Sequence, residues 1–89
     1  MDSNLSQHIQ KLLPKFKASK KVEIEELLKK VSSMREEELR AVLHKMAGSF
    51  SCYNFTEIGQ ALKSFEVDQN LDSKRELVKE SLIEISSQL

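Results

Sequence analysis

Proline and cysteine each occur once in this chain and glycine only twice, and each scarcity removes a class of structure. With so few turn formers and no β-hairpin signal, the chain reads as helices joined by short polar turns. Cys52 alone permits neither an internal disulfide nor a cysteine zinc set, and a lone thiol suits a reducing compartment. Charge of one sign is also missing. Lys plus Arg and Asp plus Glu number 14 each, which argues against a nucleic-acid binder, whose domain carries a marked basic excess. No run approaches the roughly 18 apolar residues of a membrane span, and no charged-then-apolar signal peptide opens the chain. A cytoplasmic chain without direct membrane contact is predicted. Glycine-rich phosphate loops, HExxH, EF-hand loops and nucleophile elbows are absent, as are internal repeats.

What remains is an amphipathic pattern. Apolar residues make up 39% of the 89 positions and charged residues 31%, too apolar a mixture for disorder and enough for one domain over residues 1–89 with a single core. Leu5, Ile9, Leu12 and Leu13 begin a helical stripe that Phe16 continues, with Pro14 between them. Because proline removes an amide donor and clashes with the preceding turn, the reading is a short leading helix ending near Leu12 or Leu13, with Pro14 opening the next helix. A continuous helix kinked at Pro14 is the alternative. The second helix runs from about Lys15 to Val31, with Phe16, Ile24, Leu27, Leu28 and Val31 inward and Lys17, Lys20, Lys21, Glu25 and Lys29 mostly outward.

Ser33 with Glu36 reads as a capping box for the third helix, which ends between Phe50 and Tyr53. Asn54 with Glu57 reads as the cap of a fourth segment bearing Phe55, Ile58, Leu62 and Phe65. A turn over Val67–Asp72 follows. Ser73 with Glu76 then caps a last helix lined by Val78, Leu82, Ile85 and Leu89, while Ile83 falls off its stripe. Long helices joined by turns this short are predicted to pack antiparallel beside their sequence neighbours, an all-α four-helix bundle with a short leading helix.

Candidate chemistry concentrates on the third helix. Leu39, Val42, Leu43, Met46 and Phe50 make one inward stripe. At about 100° per residue, His44 lies roughly 140° from its middle, on the solvent side. Ala47 and Gly48, three and four residues on, flank it with almost no side chain. A mid-helix glycine costs about 1 kcal/mol relative to alanine, and no turn follows Gly48, so the space itself is the expected requirement. An imidazole, with an ordinary pKa of about 6.5, is a nucleophile near neutral pH. It can attack phosphorus held on a partner's aspartate if the partner can close over it. Arg40, one turn before, and Lys45, about 100° round the helix, are the cations available to the phosphoryl oxygens. His8, near the N-terminus, reads as a solvated surface residue.

His44-Lys-Met-Ala-Gly-Ser49, preceded by Leu39-Arg-Ala-Val-Leu43 and followed by Phe55-Thr-Glu-Ile-Gly-Gln-Ala-Leu-Lys-Ser-Phe-Glu66, resembles the histidine-containing phosphotransfer (HPt) domain of bacterial phosphorelays. That family's pattern is a histidine, a hydrophobe two residues on and a glycine four residues on, here His44, Met46 and Gly48. Leu13-Pro-Lys-Phe16 is similar to the family's entry into its first long helix, so the resemblance spans nearly the whole chain. Many members carry lysine three residues after the histidine, where this chain has Ala47.

The resemblance implies an up-and-down bundle and a phosphoryl carrier without ATP binding or autokinase activity. His44 would take phosphate from a receiver-domain aspartate of a hybrid sensor kinase and pass it to the aspartate of a response regulator. The domain itself would bind no cofactor, Mg2+ being held by the receivers, and would act as a monomer. Docking over the second and third helices would use Lys17, Lys20, Lys21, Arg40, Lys45 and Ser51 as rim contacts. The match is to domains at the C-terminal end of hybrid sensor kinases, which would make the chain an excised piece, with Met1 added, of an inner-membrane kinase. The alternatives are a non-enzymatic helical interaction module in which His44 is incidental, and a four-helix subunit that dimerises through an apolar face.

Overall fold

Pro14 lies inside a helix rather than between two. A computed structural model describes residues 2–89, with side chains over 11–89, and the first helix, α1, is continuous over Asp2–Lys30. The expected short leading helix is therefore corrected to one long helix, as in the alternative reading. The reason is register. Leu13, Phe16, Lys20, Ile24, Leu27 and Val31 recur at helical spacing and are all buried or partly buried on one face. A break at Pro14 would detach Leu13 from that face. A mid-helix proline costs about 3 kcal/mol, and the continuous helix offsets part of it by keeping Leu13 packed against the core. The expectations for the side chains of Leu5, His8 and Ile9, and for Met1, lie outside the described residues.

Three further helices follow: α2 over Glu36–Cys52, α3 over Thr56–Glu66 and α4 over Arg75–Ser87, the last preceded by a single 3-10 turn at Leu71–Lys74. No strand occurs among the described residues. The three capping expectations are corrected. Ser33 closes the end of α1, its N–H and hydroxyl both donating to the Lys30 carbonyl, so α2 starts from Arg35, whose N–H donates to Glu38 Oε1 at 3.2 Å. Asn54 takes a left-handed φ of 69°, which asparagine tolerates better than most residues, and this turns the chain from α2 into α3. Ser73 sits within the 3-10 turn, its hydroxyl donating to Asn70 O at 2.8 Å.

One apolar cluster joins all four helices. Ile24 of α1, Val31 just after it, Leu39, Leu43 and Phe50 of α2, Leu62 of α3, and Val78 and Leu82 of α4 are fully buried, and Leu71, expected in a polar turn, is buried with them. Phe16 fastens α1 to the α2–α3 corner, meeting Phe50 edge-on at 5.5 Å, stacking on Tyr53 at 3.9 Å and lying 6.0 Å from Phe55. Ile83 is exposed, as are Val22, Val67 and Leu77. No described helix is long and apolar enough to cross a membrane.

The α2–α3 pair positions the site. Near its end, α2 brings Ala47 and Ser51 against Gly59 at the start of α3, and near its beginning Arg40 donates to the Glu66 carbonyl at the end of α3. These two helices run in opposite directions along their shared seam. Beyond α3, the Lys74 ammonium and the Asn70 N–H bind Asp68 and hold its carboxyl below the usual carboxylate range.

Candidate functional site

His44 stands on the solvent side of α2 with 73% of its side chain exposed. The stripe Leu39, Leu43, Met46 and Phe50 is buried opposite, so the helical period alone accounts for that placement. His44, Ala47, Gly48 and Ser51, spaced three, four and seven residues apart, face Gly59, Gln60, Lys63 and Glu66 of α3 across a shallow groove of about 200 Å³.

Small residues keep the groove open and its walls close. A Cβ at Gly48 would meet nothing within 4 Å, which leaves the flank of the imidazole clear. Ala47, expected on the surface, is 7% exposed and instead contributes to the seam beneath. Gly59 has the opposite role. A Cβ there would collide with the Ser51 hydroxyl and lie 3.1 Å from the Ala47 carbonyl, so glycine is what allows α3 to approach α2 this closely.

The sequence reading missed the residue that touches the histidine. Glu66 Oε1 is 3.2 Å from His44 Nδ1. An ionised carboxylate only accepts hydrogen bonds, so in a neutral ring this contact favours the tautomer with its proton on Nδ1 and its lone pair on Nε2. Glu66 is itself positioned: the Arg40 guanidinium donates to its backbone carbonyl and also pairs with Glu36. The proximity of Glu66 depends on the α2–α3 seam, and no local motif around His44 signals it.

The other predicted site residues divide by place. Arg40 and Lys45 line, with Ala41, His44 and Glu66, a second recess on the other side of the imidazole. Arg40 is committed to Glu36 and the end of α3. Ser51 lines the main groove. Lys17, Lys20 and Lys21 line neither recess beside His44. Lys20, expected outward, is corrected to a buried residue, 8% exposed. Its ammonium pairs with Glu23 at 3.0 Å and lies 5.5 Å from the centre of the Phe16 ring, so the lysine stem completes the apolar face of α1 while its head stays paired. Lys63, not singled out from the sequence, is the lysine that shares the main groove with His44. Among the described residues there is no group of His, Cys, Asp and Glu able to hold a metal ion.

No protein-family model, no curated protein and no solved structure matches this chain.

Proposed function

We propose that this chain is a phosphoryl carrier of the HPt type, built as an up-and-down bundle and acting as a cytoplasmic monomer between receiver domains. The observation that carries the reading is the state of the His44 ring: exposed, bound at Nδ1 by Glu66, and bordered by the open flank of Gly48. A nucleophile meant for a partner's site needs a free lone pair, a fixed ring and no neighbouring side chain in the way of closure.

In the proposed step the Nε2 lone pair attacks the phosphorus of a partner's aspartyl phosphate. The N–P bond forms as the P–O bond to the aspartate breaks, and the carboxylate leaves with the electron pair. The Nδ1 proton stays in place, so the phosphorylated ring gains positive charge next to the Glu66 carboxylate. Transfer to a second receiver reverses these changes. Magnesium would be held by the receivers, and the carrier would need neither ATP nor a metal of its own.

Incubation with acetyl phosphate and a purified receiver domain tests this. Wild-type chain is expected to take an acid-labile, base-stable label, and His44→Gln to take none. Equal labelling of the two would make His44 incidental and favour a helical interaction module instead.

A further inference from the structure

The groove beside His44 is poor in positive charge for a site that receives a phosphoryl group. The C-terminal end of α3 lies against it, bringing the negative end of a helix dipole, about half an elementary charge, together with the Glu66 carboxylate. An incoming phosphoryl dianion needs a cation on the same side. Arg40 is held by Glu36 and by the end of α3. Lys45 borders the other recess, and Lys20 is buried against Glu23. Ala47, on the groove's α2 wall, carries no charge.

Lys63 is left. It lies on the α3 wall, one turn before Glu66 and one turn after Gly59, and lines the same groove as His44 and Gly48. Among the described residues neither its ammonium nor that of Lys45 makes a hydrogen bond or ion pair, whereas Lys20, Lys29, Lys74 and Lys79 are each paired with a carboxylate. Of the two unpaired lysines beside His44, Lys63 is the one that lines the groove with Gly48.

We infer that Lys63, on the helix facing His44, is the cation that binds the phosphoryl oxygens during transfer and while the phosphate rests on the histidine. This rests on the carrier reading above. The ammonium forms no covalent bond and gives up no proton. It neutralises charge on the equatorial oxygens as Nε2 replaces the aspartyl oxygen at phosphorus, and a flexible four-carbon stem lets it follow the group.

Two measurements test the assignment. In transfer from a radiolabelled aspartyl-phosphate receiver domain, Lys63→Gln is expected to be at least about tenfold slower than wild type, and Lys63→Arg to recover most of the rate. In the second, His44 is phosphorylated directly with phosphoramidate and its phosphorus NMR signal is titrated. The charged groups around it are Lys63 and Glu66 in the groove and Arg40 and Lys45 in the second recess. A nearby ammonium favours the more highly charged phosphoryl form, so Lys63→Gln is expected to raise the titration midpoint by about half a unit, with helicity unchanged. An unaltered rate and midpoint in Lys63→Gln, with His44→Gln inert, would overturn the role of Lys63 and leave the carrier reading standing. Failure of the wild-type chain to accept label from either donor would overturn both.

Discussion

Glu66 and His44 are separated by 22 residues in the chain and by 3.2 Å in space, and the contact gives a residue-scale prediction. A hydrogen-bonded partner on one imidazole nitrogen selects the tautomer and holds the ring. Removing it with Glu66→Ala is expected to redistribute the His44 tautomers, seen by nitrogen NMR of the ring, and to slow phosphoryl transfer about tenfold. Glu66→Gln keeps an acceptor for Nδ1–H but loses the charge, so its effect on the tautomer is expected to be the smaller one. An unchanged tautomer ratio in Glu66→Ala would mean that the carboxylate does not set the ring. At this scale the sequence was only half legible. His44 and Gly48 were readable because both sit on one helix whose period is known. Glu66 and Lys63 were not, because which face of α3 meets α2 depends on how two helices dock.

At the scale of the element, the two glycines separate cleanly although both stand inside helices. Gly48 looks out on open space and Gly59 is pressed against the neighbouring helix. Neither has a positive φ, so alanine is conformationally acceptable at both. Gly48→Ala is expected to raise stability by about 0.5–1 kcal/mol through helix propensity alone. At Gly59 the Ser51 hydroxyl can swing aside but the Ala47 carbonyl is backbone. An overpacking cost of about 1–3 kcal/mol outweighs the propensity gain there, and Gly59→Ala is expected to be neutral or destabilising. Denaturant midpoints of the two variants decide it, and equal gains would show that the seam has slack. The same scale explains the capping errors. Ser33, Asn54 and Ser73 carry the right chemistry for helix starts, but each is used by the backbone turn before the helix: Ser33 on the Lys30 carbonyl, Asn54 in a left-handed turn, Ser73 on the Asn70 carbonyl. Short polar side chains serve turns and caps through the same hydrogen bonds, so sequence spacing does not choose between them.

For the whole molecule, the 44 Å long dimension matches the length of α1, whose 29 residues rise about 1.5 Å each. The shorter helices form a core along it that Leu71 helps to complete. Because Leu71 is fully buried, Leu71→Ala is expected to lose about 2–5 kcal/mol of stability while leaving the His44 tautomer unchanged, since Leu71 does not line the groove. Thermal unfolding beside ring nitrogen NMR measures both. A stability change below about 1 kcal/mol would place Leu71 outside the core. By itself the sequence determined the helical class, the inward stripes of α2, α3 and α4, and the outward placement of His44 beside Gly48, because each follows from the 3.6-residue period within one segment. Only the tertiary structure decided that α1 runs through Pro14, that Lys20 turns inward onto Phe16, that Glu66 meets His44 and that Lys63 lines the same groove. Those outcomes depend on burial shared between segments far apart in the chain, and that packing outweighs the local preferences a sequence displays.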